Sequence, residues 1–200
     1  MMKTTSHRPE GVRMPTPERT SLEAIVEAAR DILESQGLAQ LTMQAVADRV
    51  GVRAPSLYKR VRNRDALVLL VTEATLLDLE EHLHAVPAAT DPRATLADLL
   101  RAFRAFAHAR PAAYHLIFTS SPGPTRPDPA RLARAAAPVL QIAAELVGPA
   151  EALDAARMIT AWAHGFISME LAAAFNLGGD VDRAFEYGMA HLAAALTKPA

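Results

Sequence analysis

Residues 42–61 read TMQAVADRVGVRAPSLYKRV. Thr42 is placed to cap a short helix whose inward positions are Ala45, Val46, Ala47 and Val50. Gly51 closes that helix. Pro55 then falls in the first turn of a second helix, where a missing N–H costs nothing, and Leu57 and Val61 supply its buried side. A helix-turn-helix needs a small residue at the crossing, a glycine in the turn, and apolar anchors on both helices. Ala47, Gly51, and Val46, Val50, Val52 and Leu57 fill those places. The spacing turns the polar groups of 53–60 outward, on a helix that a DNA major groove can admit. Residues 49–64 hold Arg49, Arg53, Lys59, Arg60, Arg62 and Arg64 and no acid. A charge run alone is often only a solvated face. Here it falls on the motif that uses cations: Arg53, Lys59, Arg60 and Arg64 are placed to meet phosphates, while Arg62 is expected only to be solvated.

Around this stretch the periodicity is helical throughout. Ile25, Ala28, Ala29, Ile32 and Leu33 form one apolar face of a helix that Gln36-Gly37 ends. Asn63 is placed to cap a helix over 64–85, with Leu67, Leu70, Val71, Ala74 and Leu77 as its stripe. Further helices are predicted near 93–109, 111–119, 128–147, 149–176 and 181–197. No strand pattern or fixed-period repeat is visible. The expected fold is all-α, with about nine helices: a mobile arm (1–16), a three-helix helix-turn-helix domain (17–66), and a larger helical bundle (67–200).

Composition narrows the function. The chain has 200 residues, half of them apolar, and a formal net charge of −1. That near-neutral sum hides a net of +3 over residues 1–65 and −4 over 66–200. With no cysteine, thiolate chemistry and disulfides are out. No apolar run is long enough for a membrane span, and the first residues lack the apolar core of a secretory signal, so a cytoplasmic address is expected. HExxH, a phosphate-binding glycine loop and Gly-x-Ser-x-Gly are absent. No enzyme activity, cofactor or metal is expected; His164 has no partner at i+4, and His82 and His84 face opposite sides of their helix.

The segment resembles the DNA-binding domain of the TetR/AcrR family of bacterial transcriptional regulators. The matching elements are Thr42, Gly51-Val52, Leu57-Tyr58 and Arg64-Asp65-Ala66-Leu67, and the run GVRAPSLYKRVRNRDAL is especially similar. The resemblance is strongest over residues 20–71. It implies that Thr42 and Arg64 hold phosphates and that Tyr58 reaches the DNA backbone or a base edge. It also implies that Gln44, Arg53, Ala54, Pro55, Ser56, Lys59 and Arg60 face the groove. This chain departs from the family where Arg53 replaces a common serine, removing a helix cap and adding a cation, and where Val61 replaces an aromatic. Ala54 can offer only methyl contact, so base readout falls to Arg53, Ser56, Lys59 and Gln44. Lys3, Arg8 and Arg13 of the arm either reach a minor groove or stay idle.

The resemblance further implies a ligand pocket and a dimer surface in the larger domain. Candidate ligand-binding residues are Phe103, Phe106, His108, Tyr114, His115, Phe118, Met158, Trp162, His164, Phe166, Met169 and Phe175, each of which core packing would equally explain. AWAHGFISMELAAAF (161–175) is similar to a stretch in many family C-terminal domains, through Trp162, His164 and Gly165. The last two helices carry small-residue faces, and the family pairs them in a four-helix interface. A C2 homodimer is expected through Ala155, Ile159, Ala163, Ile167, Phe185, Met189, Leu192 and Leu196. The expected function is a transcriptional regulator, in the family's habit a repressor, binding an inverted-repeat operator in double-stranded DNA. A small apolar or amphipathic effector releases it. The alternatives are a constitutive, ligand-independent DNA-binding dimer and an α-helical enzyme with an incidental helix-turn-helix. A cavity of a few hundred Å³ lined by Phe103, Tyr114, Trp162 and Phe166 would favour sensing.

Overall fold

The computed structural model describes residues 21–119 and 126–196, and the expected arm lies outside them. Among these residues all regular structure is helical: α1 (Leu22–Gln36), a 3-10 turn (Leu38–Gln40), α2 (Met43–Val50), α3 (Ala54–Tyr58), α4 (Arg64–His84), α5 (Pro92–Ala109), α6 (Pro111–Phe118), α7 (Pro129–Val147), α8 (Ala152–Leu171) and α9 (Val181–Leu196).

The starts follow local chemistry. Ser21, Thr42, Asn63, Asp91 and Asp128 each cap the helix that follows them, accepting a backbone N–H through the side chain. That satisfies a donor the helix cannot pair internally. The expected helix over 149–176 is shorter at both ends. It stops at Leu171 because Ala173 takes φ 50° and the N–H of Ala174 turns back to the Met169 carbonyl. An alanine in the left-handed region is uncommon, which is why an unbroken Ala-rich run gave no warning of the stop.

Two apolar cores result. The smaller joins α1–α3 to the first half of α4 through residues such as Ile32, Val46, Leu57 and Leu67. The larger gathers the second half of α4 with α5–α9. Two elements serve both. Leu67 and Val71 of α4 lie in the small core and Leu79 and Leu83 in the large one. From α6, Ala113 and Leu116 reach the small core while Tyr114 is wholly buried in the large one.

The residues expected at the dimer interface are largely taken up inside the single chain. Ile159, Ala163, Ile167 and Phe185 are fully buried within the single chain, and Ala155, Met189 and Leu196 nearly so, with Leu192 packed against them. Their small-residue stripe lets α8 approach its own neighbours in the bundle. The faces of α8 and α9 turned to solvent are different: Met158, Ala161, Gly165 and Met169 on α8, and Ala184, Tyr187, His191 and Ala194 on α9.

Candidate DNA-binding face and apolar cavity

The α2–α3 turn is built as its residues require. The Thr42 hydroxyl accepts the Ala45 N–H at 3.1 Å. Gly51 takes φ 75° and closes α2, its N–H donating to the Ala47 and Asp48 carbonyls. Only glycine adopts that backbone without strain. Val52 N–H then bonds the Ala47 carbonyl at 2.9 Å, fixing the chain's exit towards α3. Leu57, fully buried, anchors α3, and its opposite side is open. Arg53, Pro55, Lys59 and Arg60 are exposed, Ala54 and Ser56 half-buried, and Tyr58 is 53% exposed, high for an aromatic. As expected, no side chain caps α3 at Arg53.

The predicted contact residues of α3 share its open side, but besides Thr42, which caps α2, three of the predicted residues have prior engagements. Gln44 Nε2 donates to Asp48 Oδ1 at 2.7 Å. Arg60 lies close enough to Glu23 to help hold that carboxyl below its ordinary range, after Glu23's own backbone N–H and Ser21. Arg64 donates from Nε to the Leu41 carbonyl at 2.7 Å and from Nη2 to the Leu38 carbonyl at 2.6 Å. It staples the 3-10 turn to the start of α4, an architectural task that its sequence position did not announce. Arg53 and Lys59 make no ion pair among the described residues, which leaves them available to phosphates.

In the larger core lies a cavity of about 140 Å³ walled by α4–α8. Its walls include Leu76, Leu79, Leu100, Val139 and Ile159, and among the described residues Thr160 is the one polar side chain lining it. Of the twelve residues expected to bind ligand, only Phe103 and Phe118 line it. Phe103 lines this cavity without Tyr114, Trp162 or Phe166. Tyr114 is sealed into the core, its hydroxyl 2.8 Å from His164 Nδ1, and burial pushes its pKa up. Trp162 and Phe166 pack on Phe185 of α9 at 5.4 and 5.2 Å between centroids, and Phe175 on Phe166 at 4.8 Å. Phe106 packs against His82. Met158, Met169, His108 and His115 are exposed, His108 meeting the Glu170 carboxylate at 2.9 Å. His164 stacks on the Phe118 ring at 4.0 Å, just behind the cavity wall.

Helix α6 connects the two sites. Ile117 and Phe118 at its C-terminal end line the cavity. At its N-terminal end the N–H groups of Ala112 and Ala113 donate to the two carboxylate oxygens of Glu34, on α1, at 3.1 and 2.8 Å. Beside that junction Asp78 of α4 pairs with both Arg30 of α1 and Arg110, which precedes α6.

Comparison with known proteins agrees with this layout. The sequence model for bacterial regulatory proteins of the tetR family matches residues 25–71, and that for a tetracyclin repressor-like C-terminal domain matches 96–192. An uncharacterized HTH-type transcriptional regulator of Mycobacterium tuberculosis is 30% identical over 185 residues, covering 91% of this chain and 84% of that protein. The chain belongs to the TetR family. Within that family, the class A tetracycline repressor of Escherichia coli is 41% identical over 81 residues, 40% of this chain and 37% of that repressor. Among solved structures, a substituted TetR from Acinetobacter baumannii AYE in complex with minocycline superimposes with a TM-score of 0.66 at 23% identity, covering 88% of this chain and 95% of that one. A TetR-family regulator binds DNA through its helix-turn-helix, here α2 and α3. Among the described residues of this TetR-family chain no helix is long and apolar enough to cross a membrane.

Proposed function

We propose that the chain is a non-enzymatic cytoplasmic repressor that binds an inverted-repeat operator as a homodimer and leaves it when a ligand fills the α4–α8 cavity. The observation that carries this reading is α6, which forms part of the cavity wall at one end and is bonded to α1 at the other. A ligand that prefers one setting of α6 shifts the small domain to the extent of that preference. Two recognition helices must stand about 34–36 Å apart to enter successive major grooves on one side of B-DNA. A change in that spacing weakens binding without any contact to DNA.

The outward faces of α8 and α9 support the dimer. Met158, Met169 and Tyr187 are 45%, 47% and 65% exposed there, separated by alanines and Gly165. Apolar groups clustered on a surface mark an interaction site.

Selection of bound duplexes from random sequence tests the reading. An inverted repeat bound by one dimer is expected. A single unrepeated site, or no enriched sequence, contradicts it.

A further inference from the structure

We infer that the cavity accepts an uncharged, mainly hydrocarbon molecule of about six to eight carbons with at most one hydroxyl or carbonyl group, and that Thr160 is its only polar anchor. This rests on the reading of the cavity as the effector site and specifies its chemistry.

Size comes first. Protein interiors leave few voids larger than a water molecule, and about 140 Å³ is many times that. Apolar cavities of about 150 Å³ lined by Leu, Ile and Phe stay dry and take up benzene. The walls here are of that kind: Leu76, Leu79, Leu100, Phe103 and Ile159, with no charged side chain among the lining residues. The pocket is partly open, with Ala136 of its wall exposed, but a carboxylate or ammonium seated deep in it would lose hydration and meet no countercharge.

The one polar group on the wall is also uncommitted. Threonines on helices commonly fold the hydroxyl back onto the carbonyl one turn earlier. Thr72 and Thr75 of α4 do so, to Val68 and Val71 at 2.9 and 2.7 Å. Thr160 makes no such bond among the described residues, so its hydroxyl is left to serve whatever enters. One hydroxyl donates one hydrogen bond and accepts up to two, which serves one small polar group, and the rest of the occupant meets only apolar wall.

The test is binding of hexane, hexan-1-ol and hexanoate to the full chain by calorimetry, with NMR contacts from each bound probe to the methyls of Leu100 and Ile159. Hexane and hexan-1-ol are expected to bind with those contacts, and hexanoate about 100-fold more weakly. Thr160→Val is expected to weaken hexan-1-ol by about three- to tenfold and leave hexane unchanged. Ala163→Leu fills the space and is expected to abolish both; should that variant misfold, the wild-type NMR contacts stand alone as the test. Hexanoate binding as tightly as hexan-1-ol, or probe contacts away from Leu100 and Ile159, overturns the inference. Probe binding that leaves operator affinity unchanged supports the ligand class and overturns the switch proposed above, so the two fail separately.

Discussion

The Glu34 carboxylate, near the end of α1, accepts the backbone N–H of Ala113, in the first turn of α6, at 2.8 Å. With its second oxygen on Ala112, it caps a helix that serves both cores. The N-terminus of a helix carries unpaired donors and a partial positive charge, so an anion there is favoured twice over. This bond ties a helix of the DNA-binding domain to a helix that walls the cavity.

Glu34→Ala is therefore expected to cost about 1 kcal/mol of stability and to reduce the change in operator affinity that a cavity ligand produces. Fluorescence anisotropy with and without ligand reads both states. A ligand response equal to that of the wild type would remove Glu34 from the pathway.

Gly188 touches the ring of Trp162 so closely that an added Cβ would sit 2.5 Å from Trp162 Cζ2. Gly188→Ala must push the indole off Phe185, on which it stacks. The expected cost is about 1–3 kcal/mol, with a shift in the emission of the chain's single tryptophan. Unchanged stability and emission would show that the α8–α9 contact is looser than described.

Burial first, and then the neighbouring His115, hold the pKa of His164 below its ordinary 6.5. The folded chain thus binds fewer protons at this site than the unfolded chain. Its contribution is fully present above about pH 6.5 and is lost as pH falls from there towards the depressed value. Glu170 acts lower: Arg104, then His108, hold its carboxyl below 4.5, so its contribution is lost only as pH falls beneath that value. Denaturant midpoints between pH 5 and 7.5 are expected to fall with acid in the wild type and less so in His164→Gln. Parallel slopes would place the titration elsewhere.

Ala161 lies in the middle of the exposed face of α8, between Met158 and Gly165. Ala161→Arg puts a charge into the proposed interface without entering the subunit core. A folded monomer by circular dichroism and light scattering is expected. A persistent dimer would move the interface off this face.

Much of this was legible in the sequence because local chemistry set it. Thr42, Gly51, Pro55 and Asn63 each act within four residues, and their caps and turn stand where their spacing puts them. What depended on distant partners was not legible. The stripe Ala155-Ile159-Ala163-Ile167 has the same periodicity whether it meets its own bundle or a second copy, and the bundle claimed it. Aromatic residues suggested a pocket, yet Trp162 and Phe166 found ring partners on α9 while aliphatic groups on α4 and α7 framed the empty space. Nothing local to Arg64 showed that two carbonyls from a loop more than twenty residues away hold it.

The central claim is that the outward side of α3 reads DNA, and a salt series of anisotropy titrations with the selected operator tests it most directly. Lys59→Ala is expected to weaken binding and to flatten the log–log salt dependence by about two units, because the dimer loses one phosphate contact in each half-site; Tyr58→Ala is expected to weaken binding with the slope unchanged. Wild-type affinity and slope in both variants, with the dimer intact, would contradict the account.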